Sequence, residues 1–249
     1  MKHSNILLLA GLGLAISTFT SCKPEETTNT PTETKITNVA TTKVISYDSI
    51  GQPTDTISYT FSYDAQNRLL KKLGSDGSEE QYAYSATTAA ITFVDPNDPT
   101  ANMTINYTLD AKGRLSSAPL NFSGVPVGTI SHSYNTNDQL ANTTVLISFI
   151  KDTTITNYTW SNNNNITETD NSGSITNRTF DLSKKEYRNN GIEEISRTRN
   201  ANVITREDVT NSGQTSSNTY EYEYDASGKV IKETVKVDGV ISSVTIYTY

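Results

Sequence analysis

Disulfide bonds are excluded by a chain that holds a single cysteine, Cys22, among 249 residues. Thiol catalysis and cysteine-ligated zinc in the folded part go with them, since no other thiol exists. Histidine is almost as scarce, with only His3 and His132. A Ser-His-Asp triad would have to be built on His132, and no G-x-S-x-G turn is present to hold its serine. His132 lies at period two between Ile130 and Tyr134, on an apolar strand face, and reads as a packed core residue. A histidine metal site lacks partners, and no cofactor motif is present. Basic residues are few as well: 20 Lys+Arg stand against 27 Asp+Glu, a net charge of −7. That balance disfavours nucleic acid or an anionic lipid surface as a partner. Long apolar runs are missing. The longest, residues 6–16 (ILLLAGLGLAI), falls short of the roughly 20 residues a spanning helix needs. No later segment shows a 3.6-residue apolar stripe, so no helical layer is expected.

What the first 22 residues do hold is an export signal. Lys2 and His3 precede the apolar core of residues 6–16, the layout of a signal peptide over residues 1–21. Its end, Phe19-Thr20-Ser21-Cys22, resembles the lipobox of bacterial lipoproteins, with Phe in the place of the more usual Leu. The resemblance implies cleavage before Cys22 and a diacylglycerol on its sulfur, so that acyl chains hold the protein to a membrane. The following Lys23-Pro24-Glu25-Glu26 resembles the surface-export signal of Bacteroidota lipoproteins, carried by Lys23, Glu25 and Glu26. The alternative is a solvated linker on the periplasmic side. Residues 22–38 read as the lipidated cysteine and a polar tether. Residues 39–249 read as one β domain, a size that all-β domains often reach.

Within that domain, apolar and polar residues alternate strictly. Ile57, Tyr59, Phe61 and Tyr63 alternate with Thr56, Ser58, Thr60 and Ser62; Tyr220, Tyr222 and Tyr224 alternate with Glu221 and Glu223. Period two over such lengths predicts half-buried strands. The reversals between strands repeat. Tyr63-Asp64-Ala65-Gln66-Asn67-Arg68-Leu69 aligns with the segments that start at Leu109 and at Tyr224, and less closely with those at Tyr134 and Trp160. The second position (Asp64, Asp110, Asp225) carries a short side chain that caps a turn. The fifth (Asn67, Gly113, Gly228, with Asp138 and Asn164 in the weaker copies) carries residues that tolerate a left-handed backbone. The seventh is aliphatic and restarts the inward face. The expected fold is all-β: a long antiparallel meander of about 14–18 strands, curled into an open or closed barrel-like sheet.

The Y-D-x-x-G-R-L form of these turns resembles the YD repeat of Rhs-type proteins. Together with the lipobox it resembles uncharacterised Bacteroidota lipoproteins built from YD-like hairpins. The resemblance implies a curled β-meander and no catalytic residues.

Three groups remain as chemical candidates. Glu79-Glu80 and Glu193-Glu194 are adjacent, so within strands each pair splits between two faces, whereas Glu221 and Glu223 share one. The latter read as a solvated face, with a glycosidase pair as the alternative. Asp95-Pro96-Asn97-Asp98-Pro99 reads as a rigid polar loop and lacks the spacing of a calcium loop. The aromatic stripes Tyr59, Phe61, Tyr63 and Tyr220, Tyr222, Tyr224 offer a platform for sugar rings, or else pack the core. The composition therefore points to a non-catalytic envelope lipoprotein that binds or scaffolds a glycan or an envelope protein, with the membrane reached through its anchor. Two other readings stay open: an outer-membrane β-barrel, and a carboxylate-dependent glycan hydrolase.

Overall fold

The computed structural model describes residues 37–99, 102–122, 125–186, 188–189, 196 and 198–249. Cys22, Lys23, Glu25 and Glu26 lie outside the described residues. The strands are β1 (Thr37–Asn38), β2 (Thr41–Tyr47), β3 (Pro53–Tyr63), β4 (Leu69–Gly74), β5 (Glu79–Tyr84) and β6 (Thr88–Val94). They continue as β7 (Met103–Leu109), β8 (Leu115–Phe122), β9 (Val125–Tyr134), β10 (Leu140–Ile147), β11 (Asp152–Ser161) and β12 (Asn164–Asp170). The last are β13 (Ile175–Lys185), β14 (Arg188–Asn189), β15 (Asn202–Asn211), β16 (Gln214–Tyr224), β17 (Val230–Val237) and β18 (Val240–Thr248).

Among the described residues, 16 of these strands form a closed antiparallel barrel in which each pairs with the next in the chain. Closure comes from β18 against β2, in register from Ser243↔Ser46 to Thr248↔Thr41. Closing the sheet removes the two unpaired edges that a meander of this length would otherwise present. The two remaining strands, β1 and β14, pair in parallel through Thr37↔Arg188 and Asn38↔Asn189. Thr37 and Asn38, expected at the end of the tether, thus belong to a strand.

The pattern of alternation assigns the two faces of the wall. Phe61, Tyr82, Ile91, Tyr107 and Tyr247 are buried together with Val39 in one cluster, with Tyr59, Tyr63, Tyr222 and Tyr224 packed against it. These residues face inward. Their neighbours in sequence face out and are hydrophilic: Ser58, Thr60 and Ser62 on β3 are exposed. Glu221 and Glu223 on β16 pair across the wall with Lys236 (2.5 Å) and Lys232 (2.7 Å) on β17. Thr92 and Thr104 meet through their hydroxyls at 3.0 Å, as do Thr210 and Thr215 at 2.7 Å. Outward apolar residues interrupt this surface, among them Leu73, Leu146, Ile155, Ile175 and Ile246, with Ile45 and Val244 opposite each other across β2 and β18.

Because the strands alternate direction, the YD-type turns all fall on one rim. Asp64 Oδ1 accepts the backbone N–H of Gln66 (2.9 Å) and of Arg68 (2.8 Å), and Asn67 sits at φ 61°. Asp110 does the same for Lys112 (2.9 Å) and Arg114 (3.0 Å) beside Gly113 at φ 74°. Asp225 repeats it for Ser227 (2.8 Å) and Lys229 (2.9 Å) beside Gly228 at φ 85°. Asn135 plays the part of the aspartate before Asp138, at φ 68°. The segment at Trp160 departs from the series. Its reversal is a two-residue turn at Asn162 (φ 50°) and Asn163 (φ 59°), while Asn164 is a buried strand residue. Two consecutive left-handed asparagines make the tight hairpin that such pairs favour. On the opposite rim the longer loop recurs at Asp48 with Gly51 and at Asp170 with Gly173.

Candidate binding sites in the barrel lumen

Inward parity carries charged residues as well as aromatic ones into the lumen, and they arrive as ion pairs. On neighbouring strands β3 to β6 one cross-strand row reads Phe61, Lys72, Glu80, Phe93. Lys72 Nζ lies 2.6 Å from Glu80 Oε1. Tyr82 donates its hydroxyl to the other carboxylate oxygen of Glu80 at 2.6 Å. The Lys72 ammonium also sits 4.6 Å from the centroid of the Tyr59 ring. Tyr59, Lys72, Glu80 and Phe93, with Ser78, Glu79, Val94 and Asp95 at the strand ends and adjoining loops, line a cavity of 340 Å³ at the rim opposite the YD-type turns.

A second cavity, of 130 Å³, lies towards the other rim. Its centre is Arg188 of β14. The guanidinium pairs with Glu233 at 2.6 Å and with Glu186, and donates to the Tyr247 hydroxyl at 2.8 Å. It stacks between Tyr222 and Tyr247, 5.5 and 5.0 Å from their centroids. Burial works against its charge, but Glu186, Tyr247 and Glu233 outweigh it and hold the group ionised. Asn200, Asn202 and Tyr220 complete the lining. A third cluster, farther along the wall, joins Arg178 to Glu168 (2.6 Å) and Glu207 (2.7 Å).

The six aromatic residues read from the sequence as a platform all face this interior. The structure divides them: Tyr59 lines the larger cavity, and Tyr220 and Tyr222 line the smaller. Phe61 is core. Tyr63 donates its hydroxyl to the Val39 carbonyl at 2.9 Å, and desolvation pushes that hydroxyl up to about 12. Tyr222 donates to the Ile204 carbonyl at 2.8 Å, and Tyr224 packs against Tyr222 at 6.3 Å between centroids.

His132 also faces inward. Its Nδ1 meets Thr143 Oγ1 at 3.0 Å, its ring stacks on Tyr107, and burial pushes its pKa down. Glu79 and Glu80 do split between faces, Glu79 pairing with Lys71 at 2.6 Å. Glu193 and Glu194 lie outside the described residues. Asp95 spends its carboxylate on the N–H groups of Asn97 and Asp98. The residues that sequence reading missed are Lys72, Glu233 and Arg188; Glu80 was named only as half of a pair split between two faces, without its inward role. For Glu80 the signal was available, since it shares the parity of Tyr82 and Tyr84.

No family model and no curated protein matches the sequence. Solved structures do share the fold. One is a porin-like protein from Bacteroides uniformis ATCC 8492, with a TM-score of 0.61 and 18% identity, covering 84% of this chain and 96% of that one. Another is a porin-like protein from Bacteroides vulgatus ATCC 8482, with a TM-score of 0.56 and 12% identity, covering 86% of this chain and 98% of that one. The chain is therefore a closed, antiparallel β-barrel of the kind these porin-like proteins adopt. The likeness is one of fold, and the resemblance to YD-repeat proteins rests on the turn residues alone.

Proposed function

We propose that this chain is a cell-envelope barrel held to the outer membrane by acyl chains on Cys22, with its wall in water and a binding site in its lumen. The observation that carries this reading is the direction of the side chains. A barrel that spans a bilayer turns an apolar band with aromatic girdles outward. Here Tyr59, Tyr63, Tyr82, Tyr107, Tyr222 and Tyr224 point in while Tyr47 takes the outward parity of β2, and the outward rows hold Ser58, Thr60, Ser62 and the Lys–Glu pairs of β16 and β17. The role is binding rather than turnover, because the carboxylates Glu221 and Glu223 are each tied to a lysine on the outer wall. Lys23, Glu25 and Glu26 favour exposure on the cell surface. The test is extraction of the chain carrying Cys22→Ser and lacking residues 1–21. It stays in the supernatant after ultracentrifugation without detergent if the reading holds, and needs detergent if it does not.

A second reading is favoured by the shared fold with two porin-like proteins: an integral outer-membrane β-barrel. Stable single-channel conductance in planar bilayers would support it against the first.

A further inference from the structure

We infer that the 340 Å³ cavity between β3 and β6 is a binding site for a neutral saccharide, with Tyr59 and Phe93 as its stacking surfaces and the Lys72–Glu80 pair as its polar anchor. This deepens the reading of the lumen as a binding space and rests on it.

The cross-strand row sets out the chemistry. Neighbouring strands stand about 4.8 Å apart, so Phe61, Lys72, Glu80 and Phe93 form a line of ring, ammonium, carboxylate and ring. Lys72 and Glu80 remain 28% and 27% exposed at the side chain, so a ligand in the cavity reaches both. Their charges cancel at 2.6 Å, and a ligand bringing a full charge of its own would have to separate them. A polyhydroxylated ring has no such cost. One hydroxyl donates to Glu80, another accepts from Lys72, and the pair stays intact. The apolar C–H face of a pyranose suits the aromatic rings. The volume accommodates roughly one or two sugar rings, at the lower end of the range for small-ligand sites.

The site is also built in advance. Tyr59 lies opposite Gly74 on β4. A Cβ at Gly74 would meet Tyr59 Cε1 at 3.3 Å, Ser78 Oγ at 2.5 Å and Asp76 Oδ1 closer still. The missing side chain therefore leaves the Tyr59 ring its place over the β4 backbone. The Lys72 ammonium lies over the same ring, and the Tyr82 hydroxyl fixes Glu80. Ordered aromatic and ionic groups of this kind lose little entropy when a ligand arrives.

The experiment uses the full chain, purified from membranes in a detergent without a sugar headgroup. Glucose, galactose, N-acetylglucosamine, maltose, cellobiose and lactose are tested by saturation-transfer NMR, and calorimetry supplies the affinity. Saturable binding of at least one of them is expected. Tyr59→Ala weakens it by about tenfold, the scale of one lost stacking contact. Glu80→Gln keeps the shape but breaks the ion pair, and weakens it without unfolding the wall. Lys236→Met, on the outer face, leaves affinity unchanged. The inference is overturned if none of these sugars binds, if Tyr59→Ala and Glu80→Gln both bind as tightly as the parent, or if glucuronate binds better than glucose. Absence of sugar binding in a chain that is soluble without detergent overturns this site and leaves the barrel reading standing. Channel conductance overturns the reading of a barrel with its wall in water, whatever the sugars do.

Discussion

Tyr134 donates its hydroxyl to the backbone carbonyl of Leu115 at 2.7 Å, and the guanidinium of Arg114 lies 4.0 Å from the centre of the same ring. The relation repeats around the barrel. Tyr84 bonds to the Leu69 carbonyl (2.8 Å) under Arg68, and Tyr249 to the Val230 carbonyl (2.8 Å) under Lys229. Trp160 makes the same bond to Leu140 through its indole N–H at 2.7 Å. Four of the turns are thus clamped by an aromatic residue at the end of the strand that follows the hairpin, on a carbonyl beside the register shift that ends each ladder. Tyr134→Phe strands that carbonyl and costs about 1–3 kcal/mol of stability, read by urea denaturation. Leu115→Ala, in the core below it, costs about 2–5 kcal/mol.

The left-handed turn positions give a second expectation. Gly113 and Gly228 stand at φ 74° and 85°, with open space around a hypothetical Cβ. Gly113→Ala and Gly228→Ala are penalised by backbone strain alone, about 1–2 kcal/mol each. Asn at either place, as Asn67 already is, costs less than Ala in the same denaturation series.

Acid should loosen the turns. The Ser227 hydroxyl, with the N–H groups of Lys229 and Ser227, holds the Asp225 carboxyl below the usual carboxylate range; the Ser172 hydroxyl and Ser174 N–H do so for Asp170. A folded-state value below the unfolded one of about 4 means that the stabilisation is whole above that pH and disappears as the pH falls through the folded value. Asp225→Asn keeps a capping oxygen, as Asn135 does, but removes the titration. Its stability falls less steeply than the parent's from about pH 5 downward, measured as urea midpoints across that range.

Arg188 gives the largest expected effect of any single change. It neutralises Glu186 and Glu233 inside the barrel and spans the rings of Tyr222 and Tyr247. Arg188→Ala leaves two carboxylates there without their cation, at about 3–5 kcal/mol. The same variant in a Glu186→Gln, Glu233→Gln background recovers part of the loss, which a purely steric role for the arginine would not produce.

Much of this barrel is legible in the residues. The parity of Tyr59, Phe61 and Tyr63 against Ser58, Thr60 and Ser62 assigns both faces of β3, and Asp64 with Asn67 marks the loop that follows. Where asparagines run together, from Asn162 to Asn165, the pattern allows more than one left-handed position, and the tight turn took the first two. Closure of the sheet depends on Thr41 meeting Thr248, a contact between opposite ends of the chain that no local pattern encodes. The place of Arg188 was hidden for a related reason: β14 is two residues long and shows no alternation, so nothing nearby marks the side chain as inward. The lumenal cavity needed the register of four strands, which brings Lys72 beside Glu80 and sets Phe93 at the end of the row.

The central claim, that the outer wall of this barrel meets water, is tested most directly by thiol labelling. Thr60→Cys and Thr104→Cys place single thiols on outward positions of β3 and β7, with Ala111→Cys in an exposed turn as a loop reference. Opened outer-membrane vesicles are treated with a membrane-impermeant maleimide. The account predicts that both wall positions react at rates comparable to the loop. Protection of Thr60→Cys and Thr104→Cys while Ala111→Cys reacts, relieved only when detergent dissolves the membrane, would put lipid against the wall and contradict it.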